Sequence, residues 1–235
     1  MTFATRMMMI GICGLALLAA GGQARGAGII GGSALLDAAA ASQLESWLGQ
    51  GPITLTNIFA KTPGATAADF HAAVDGRGAT FAVMRATDGG ISAIVGGYNP
   101  QSWHSDDYYN ITVNAAAQTG FIFNLTASLL RTQADYYQTL NNSNYGPTFG
   151  AGNDIYVDGQ LNSGASYGYS YGGPAALSLS IVTGQVWAGN DFGIGELEIF
   201  TISAASPTRI PEPFSLALFG AGLAGLGLFA RRRAA

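Results

Sequence analysis

The sequence predicts an α+β domain that is mainly β, built on an antiparallel sheet pair. Three observations carry this. Glycine is abundant at 34 of 235 residues, which favours many turns and short strands. Two helical patterns stand early in the chain, and a run of short apolar β-branched stretches follows them. The stretch around residues 80–98 reads as a hairpin with apolar residues on both faces, the mark of a strand pair in a covered sheet.

That hairpin anchors the reading. Residues 80–86 form one strand, Thr87-Asp88-Gly89-Gly90 supplies the turn, and residues 91–95 return. Phe81 and Val83 lie on one face, Ala82 and Met84 on the other. Gly96-Gly97 then interrupts the pattern and predicts a bulge or a close backbone approach.

In chain order, residues 1–27 have a positive start at Arg6, an apolar centre and a cleavage site at Gly22-Gln23-Ala24, which together predict a secretory signal peptide. The apolar run is short for a membrane span. Residues 28–52 form an N-terminal helix and linker. Ser33 is expected to cap a helix over 33–49, with Leu36, Ala40, Leu44, Trp47 and Leu48 on one stripe. Residues 53–59 predict a strand, and 66–74 a short helix burying Phe70 and Val74. Strands are expected at 110–114, 121–126, 154–157 and 177–182, with one irregular strand over 129–140 and a Gly/Ser/Tyr loop over 162–173. Residues 195–200 alternate cleanly, with Leu197 and Ile199 inward and Glu196 and Glu198 outward.

Charged residues make up only 10% of the chain. Between Gly28 and Ile210 five basic residues face thirteen acidic ones, and five minus thirteen leaves −8. Such a body repels a phosphate backbone, so nucleic acid is not an expected partner. The single cysteine, Cys13, lies in the leader, so the mature domain is expected to hold no disulfide.

The tail combines Pro211-Glu212-Pro213, an apolar run over 214–230 and Arg231-Arg232-Arg233. About 17 apolar residues make a helix of about 26 Å, just enough to cross a bilayer core. The arginines after it place the preceding domain on the outer side. This order resembles the PEP-CTERM sorting signal of Gram-negative bacteria. The resemblance implies inner-membrane residence during sorting, recognition by an exosortase and export machinery, removal of the tail near Pro211, and delivery to the outer surface or extracellular matrix. Producers of such proteins are typically makers of exopolysaccharide and biofilm.

The body, taken as residues 53–205, resembles the TLDc domain of the oxidation-resistance proteins. The carrying residues are Phe70 with Asp75-Gly76-Arg77-Gly78 and Thr80, then Gly96-Gly97-Tyr98 with Ser102-Trp103, then Phe121-Ile122-Phe123-Asn124-Leu125, then Gly146-Pro147-Thr148-Phe149-Gly150 with Asp154-Ile155, and last Glu196-Leu197-Glu198-Ile199-Phe200. The family fold is a two-sheet antiparallel β-sandwich flanked by short helices. Eukaryotic members protect against oxidative damage, and some bind the vacuolar proton pump, a partner that does not transfer to an exported bacterial protein. No catalytic mechanism is established across the family.

Candidate chemistry is sparse. Glu196 and Glu198 lie about 7 Å apart along one face of a strand, a spacing open to acid/base work or to plain solvent exposure. His71 is expected half-buried at the surface. His104 sits in Trp103-His104-Ser105-Asp106-Asp107, where sequence neighbours rarely reach triad geometry and a solvated acidic loop is the stronger reading over a Ca²⁺ site. No metal or cofactor is expected. Tyr98 and Trp103 are either core aromatics or a platform for a sugar ring. Tyr167, Tyr169 and Tyr171 alternate in the Gly-rich loop and are the better candidates for contact with extracellular polysaccharide or surface proteins, because tyrosine offers apolar area and a hydroxyl together. The leading expectation is a non-catalytic exported interaction module. The alternative is an envelope enzyme or stress-protection factor acting on polysaccharide or oxidants through Glu196, Glu198 or His104.

Overall fold

The computed structural model describes residues 27–185 and 191–205. Residues 1–26 of the expected leader, with Cys13, the Pro211-Glu212-Pro213 motif, the apolar run 214–230 and Arg231, Arg232 and Arg233 lie outside them. Among the described residues no helix is long and apolar enough to cross a membrane.

The elements are β1 (Gly28–Ile30), α1 (Ala38–Leu48), β2 (Ile53–Ala60), α2 (Ala67–Val74), β3 (Thr80–Asp88), β4 (Ile91–Asn99), β5 (Tyr108–Ile111), β6 (Phe121–Asn124), β7 (Leu129–Thr132), β8 (Tyr137–Asn141), β9 (Thr148–Phe149), β10 (Tyr156–Val157), β11 (Ser163–Ala165) and β12 (Asp191–Ala204). A large sheet runs β1-β2-β12-β3-β4-β6-β7, with β11 pairing the start of β12 and carrying β10. A small sheet runs β5-β8-β9. The chain is therefore mainly β with two sheets and flanking helices, as its residue pattern predicts. The pairing is antiparallel except at β1–β2, which is parallel.

The β3–β4 hairpin sits at the centre of the large sheet. Asp88 pairs with Ile91 across Gly89 and Gly90, whose φ values of 52° and 93° suit the tight turn. Both faces of the hairpin are buried. Phe81 and Val83 join Leu44, Leu55, Phe123 and Phe200 in a core beneath α1. Ala82 and Met84 join Phe70, Trp103, Phe149 and Leu197 in a second core toward α2 and the small sheet. The strand does not break at Gly96-Gly97; pairing continues in register to Asn99. The glycines serve close approach instead. A Cβ on Gly97 would lie 2.6 Å from the Phe149 ring of the small sheet. A Cβ on Gly96 would lie 1.9 Å from the Ala82 carbonyl oxygen and 2.8 Å from Phe123.

Several boundaries differ from expectation for local reasons. Helix α1 starts at Ala38, because Asp37 rather than Ser33 accepts the Ala40 N–H at 2.8 Å. Gly49, at φ 67°, ends it. Helix α2 carries the capping box of Thr66 and Asp69. Residues 129–140 form two strands, β7 in the large sheet and β8 in the small one, and the chain turns between them at Gln133, whose amide donates to Asp135 O. The loop expected over 162–173 contains β11. Residues 177–182 make turns instead of a strand. Their carbonyls are taken by side chains: Arg131 donates to Leu179 O and Ser180 O, and Asn124 to Ile181 O.

Candidate functional site

The carboxylates of β12 come first. Strand β12 has an irregularity between Ile194 and Leu197, after which Leu197 and Ile199 point into the core. Glu196 and Glu198 occupy the other side of the strand, but only Glu196 meets solvent. The Glu196 side chain is 48% exposed and pairs with Arg85 Nε at 2.8 Å. Its own backbone N–H, then the Arg85 guanidinium, hold its carboxyl below the ordinary range. Glu198 is 4% exposed, which corrects the expectation that it faces solvent. The segment before α1 crosses over it: Ser33 Oγ donates to Oε2 and Ala34 N–H to Oε1 at 2.8 Å. Ser33 Oγ in turn accepts from Leu35 and Leu36 N–H, so one buried carboxylate fixes the whole strap. Glu198→Ala is expected to cost about 2 kcal/mol, since it removes a buried acceptor that holds two part-buried donors of the strap and leaves a cavity beneath them. Glu196→Ala is expected to cost under about 0.5 kcal/mol, as for exposed ion pairs. Urea unfolding of the two variants separates the roles; equal losses would contradict them.

The histidines come next. His104 Nδ1 lies 3.2 Å from Asn141 Nδ2 and 3.4 Å from Asp106 Oδ2. Asp107 turns away and accepts from the Ser143 N–H and hydroxyl. His71 is buried rather than half-exposed, because α2 packs it against the 142–145 loop. Its Nδ1 meets Asp75 Oδ1 at 2.8 Å, and its Nε2 faces the carbonyls of Asn142 and Tyr145 at 3.0 and 3.1 Å. Ser105 Oγ donates to the other Asp75 oxygen. Serine, aspartate and histidine thus do meet, but the aspartate stands in the middle. A nucleophilic triad needs the histidine between the other two. This network instead ties α2 to two loops. Among the described residues no group of three or more His, Cys, Asp or Glu side chains could hold a metal ion.

The aromatic candidates divide sharply. Tyr98 packs its ring on Phe81 and Phe121 at centroid distances of 5.4 and 5.2 Å, and burial raises its phenol. Trp103 is fully buried between Phe70 and Phe149 and donates from Nε1 to Thr80 Oγ1 at 2.8 Å. Tyr171 is fully buried, its hydroxyl donating to Gln138 O at 2.7 Å. These three are core residues and offer no platform. Tyr167 is half-buried, its hydroxyl 3.4 Å from Asp191 Oδ1. Tyr169 is 54% exposed. Regular alternation fails here because the 166–173 segment is not a strand. It wraps a buried carboxylate: Asp154 accepts the N–H groups of Tyr169, Ser170 and Tyr171 at 2.7, 2.9 and 2.9 Å. Desolvation raises the Asp154 carboxyl to about 6 despite those three donors.

Residues that the sequence pattern did not single out lie beside Tyr169. Tyr109 on β5 and Tyr137 on β8 stack edge to face at 4.9 Å, and Tyr136 lies 4.3 Å from Tyr137. A hydrogen bond with Tyr137 is the main cause that raises the Tyr136 phenol, and Tyr169 stands near enough to add to it. The signal was present as Tyr108-Tyr109 and Tyr136-Tyr137, two doublets 27 residues apart whose meeting needs the sheet pairing.

No curated protein matches the chain. The TLDc domain matches residues 29–203, a span that takes in β1 and α1 as well as the sheets, and the chain belongs to the TLDc family.

Proposed function

We propose that this chain is an exported TLDc-domain protein of a Gram-negative bacterium that acts as an interaction module at the cell surface or in the biofilm matrix. The observation that carries the reading is the acidic, cysteine-free body set between an Arg6-led apolar leader and a tail of Pro211-Glu212-Pro213, an apolar run and three arginines. Such a body folds in an oxidising compartment without disulfides to form or misform. On this reading the tail holds the protein at the inner membrane until an exosortase removes it. Binding, rather than chemistry, is the function the surface supports best. Glu198 and His71 are committed to structural hydrogen bonds, Glu196 to an ion pair, and Tyr136 and Tyr169 are exposed near a pair of stacked tyrosines.

Intact mass and cell fractionation of the native protein test the reading. The expected result is loss of both ends and recovery outside the cell. A protein that keeps its leader and stays in the cytoplasm refutes export, and one that keeps its tail in the inner membrane refutes exosortase sorting.

A further inference from the structure

The outer face of the small sheet carries an apolar and aromatic surface. Val113 is 82% exposed, Tyr136 is 42% exposed and Ile111 stands open beside them. Tyr109, Tyr137 and Tyr136 form a chain of touching rings, and exposed Tyr169 stands on the neighbouring loop, whose Tyr171 hydroxyl reaches the carbonyl of Gln138 next to Tyr137. The backbone that carries each ring is held in place. Tyr109 and Tyr137 sit on paired strands, the Tyr136 N–H donates to Asp135 Oδ1 at 2.6 Å, and the Tyr169 N–H is bound by buried Asp154. Tyr169 also lies against Gly152, where an added Cβ would come within 2.3 Å of its own. Pre-ordered rings lose little entropy when a ligand covers them.

The chemistry of the surface selects its ligand. Ring faces with phenol hydroxyls match molecules that present C–H faces and hydroxyls at once. Residues 108–119 carry no charged side chain, and the adjoining Asp106, Asp107 and Asp135 are all acidic. The one cation on neighbouring β7, Arg131, is buried with its guanidinium on the carbonyls of residues 179 and 180. An anionic polymer or a lipid phosphate therefore meets repulsion. So does a second copy of the same acidic body.

We propose that Tyr109, Tyr136, Tyr137 and Tyr169 form a binding platform for a neutral polysaccharide, whose sugar rings stack on the tyrosines. The inference rests on the reading of the domain as a binding module, and its test is independent of where the protein resides.

The full chain, held in non-ionic detergent micelles, is run in native gels containing hydroxyethyl cellulose, galactomannan or, as the anionic comparison, alginate. Retardation by at least one neutral polymer and none by alginate is expected. Tyr136→Ala and Tyr169→Ala should each weaken the apparent affinity about fivefold or more, as truncation of an aromatic anchor does. Tyr136→Phe should keep most of it, and Ile30→Ala, an exposed apolar change on β1, all of it. Melting curves confirm that the variants fold. Absence of retardation in both neutral polymers, retardation by alginate alone, or unchanged retardation of the Tyr136→Ala/Tyr169→Ala double variant overturns the proposal. Sedimentation showing a dimer that the double variant abolishes also overturns it, in favour of a protein interface. Fractionation results bear on export alone, so the two failures are distinguishable.

Discussion

Gly96→Ala is expected to lower the melting temperature by roughly 10 °C or to prevent folding altogether. The added methyl would sit 1.9 Å from the Ala82 carbonyl oxygen, which belongs to the backbone of the neighbouring central strand and cannot swing aside. On the same side the Phe123 ring, 2.8 Å away, is fully buried against Phe81 and has no open space to move into. Relief therefore requires parting β3 from β4, the pair at the centre of the large sheet. Overpacking of this kind costs about 3 kcal/mol or more. A domain of this size loses about 2–4 °C per kcal/mol. Gly90→Ala makes the comparison. Gly90 sits in an open turn at φ 93° with nothing nearby, so its cost is conformational, about 1 kcal/mol. Thermal unfolding followed by circular dichroism checks both. A Gly96→Ala protein that melts with the wild type would show that the strands tolerate separation.

The two glycines also show what a sequence can and cannot disclose. Gly96-Gly97 announces close approach, and that much is correct. It cannot say whether the strand breaks or continues, because that depends on Phe123 and on Phe149 of the other sheet. Phe81, Val83, Ala82 and Met84 were legible as a two-faced strand because side-chain direction there follows from local periodicity. Glu198 was legible as the outward partner of Glu196 and still reads wrongly, since the strap that covers it comes from 165 residues earlier in the chain. Residues 177–182 look like a strand by composition, yet Arg131 and Asn124 take the carbonyls that a strand partner would have taken. The tyrosine surface followed the same rule. Tyr167, Tyr169 and Tyr171 were visible as a run, but a buried aspartate sends Tyr171 into the core and leaves Tyr169 outside. Local pattern decides facing; non-local hydrogen bonds decide cover. Whatever depends on cover was beyond the sequence.

Asp154 is the sharpest instance, and it carries the other large expected effect. Its carboxylate is fully buried, accepts three backbone N–H groups and, among the described residues, has no ion-pair partner within hydrogen-bond range; Arg131 acts on it through longer-range attraction. Asp154→Ala leaves those donors unpaired, two of them buried, which is expected to cost about 3 kcal/mol or more at pH 4 and less as pH rises, and to loosen residues 169–171. The charge itself has the opposite sign of effect. The folded carboxyl titrates at about 6, above the ordinary aspartate value of 3.8. Between those values the native state binds more protons than the unfolded chain, so this group's contribution to stability falls as pH rises from about 4 to 6 and is level above. A rise of two units corresponds to about 3 kcal/mol. Asp69, Asp158 and Glu196, all held below the ordinary range, act in the other direction and gain stability as pH rises from acid. A single stability curve therefore mixes the two. Asp154→Asn removes the titration while keeping the shape, so urea unfolding of wild type and variant from pH 4 to 7 isolates it. The difference between them is expected to shift against the wild type by about 3 kcal/mol across that window. Parallel curves would mean that water or a rearranged loop solvates Asp154. The loop that presents Tyr169 would then rest on something other than this carboxylate.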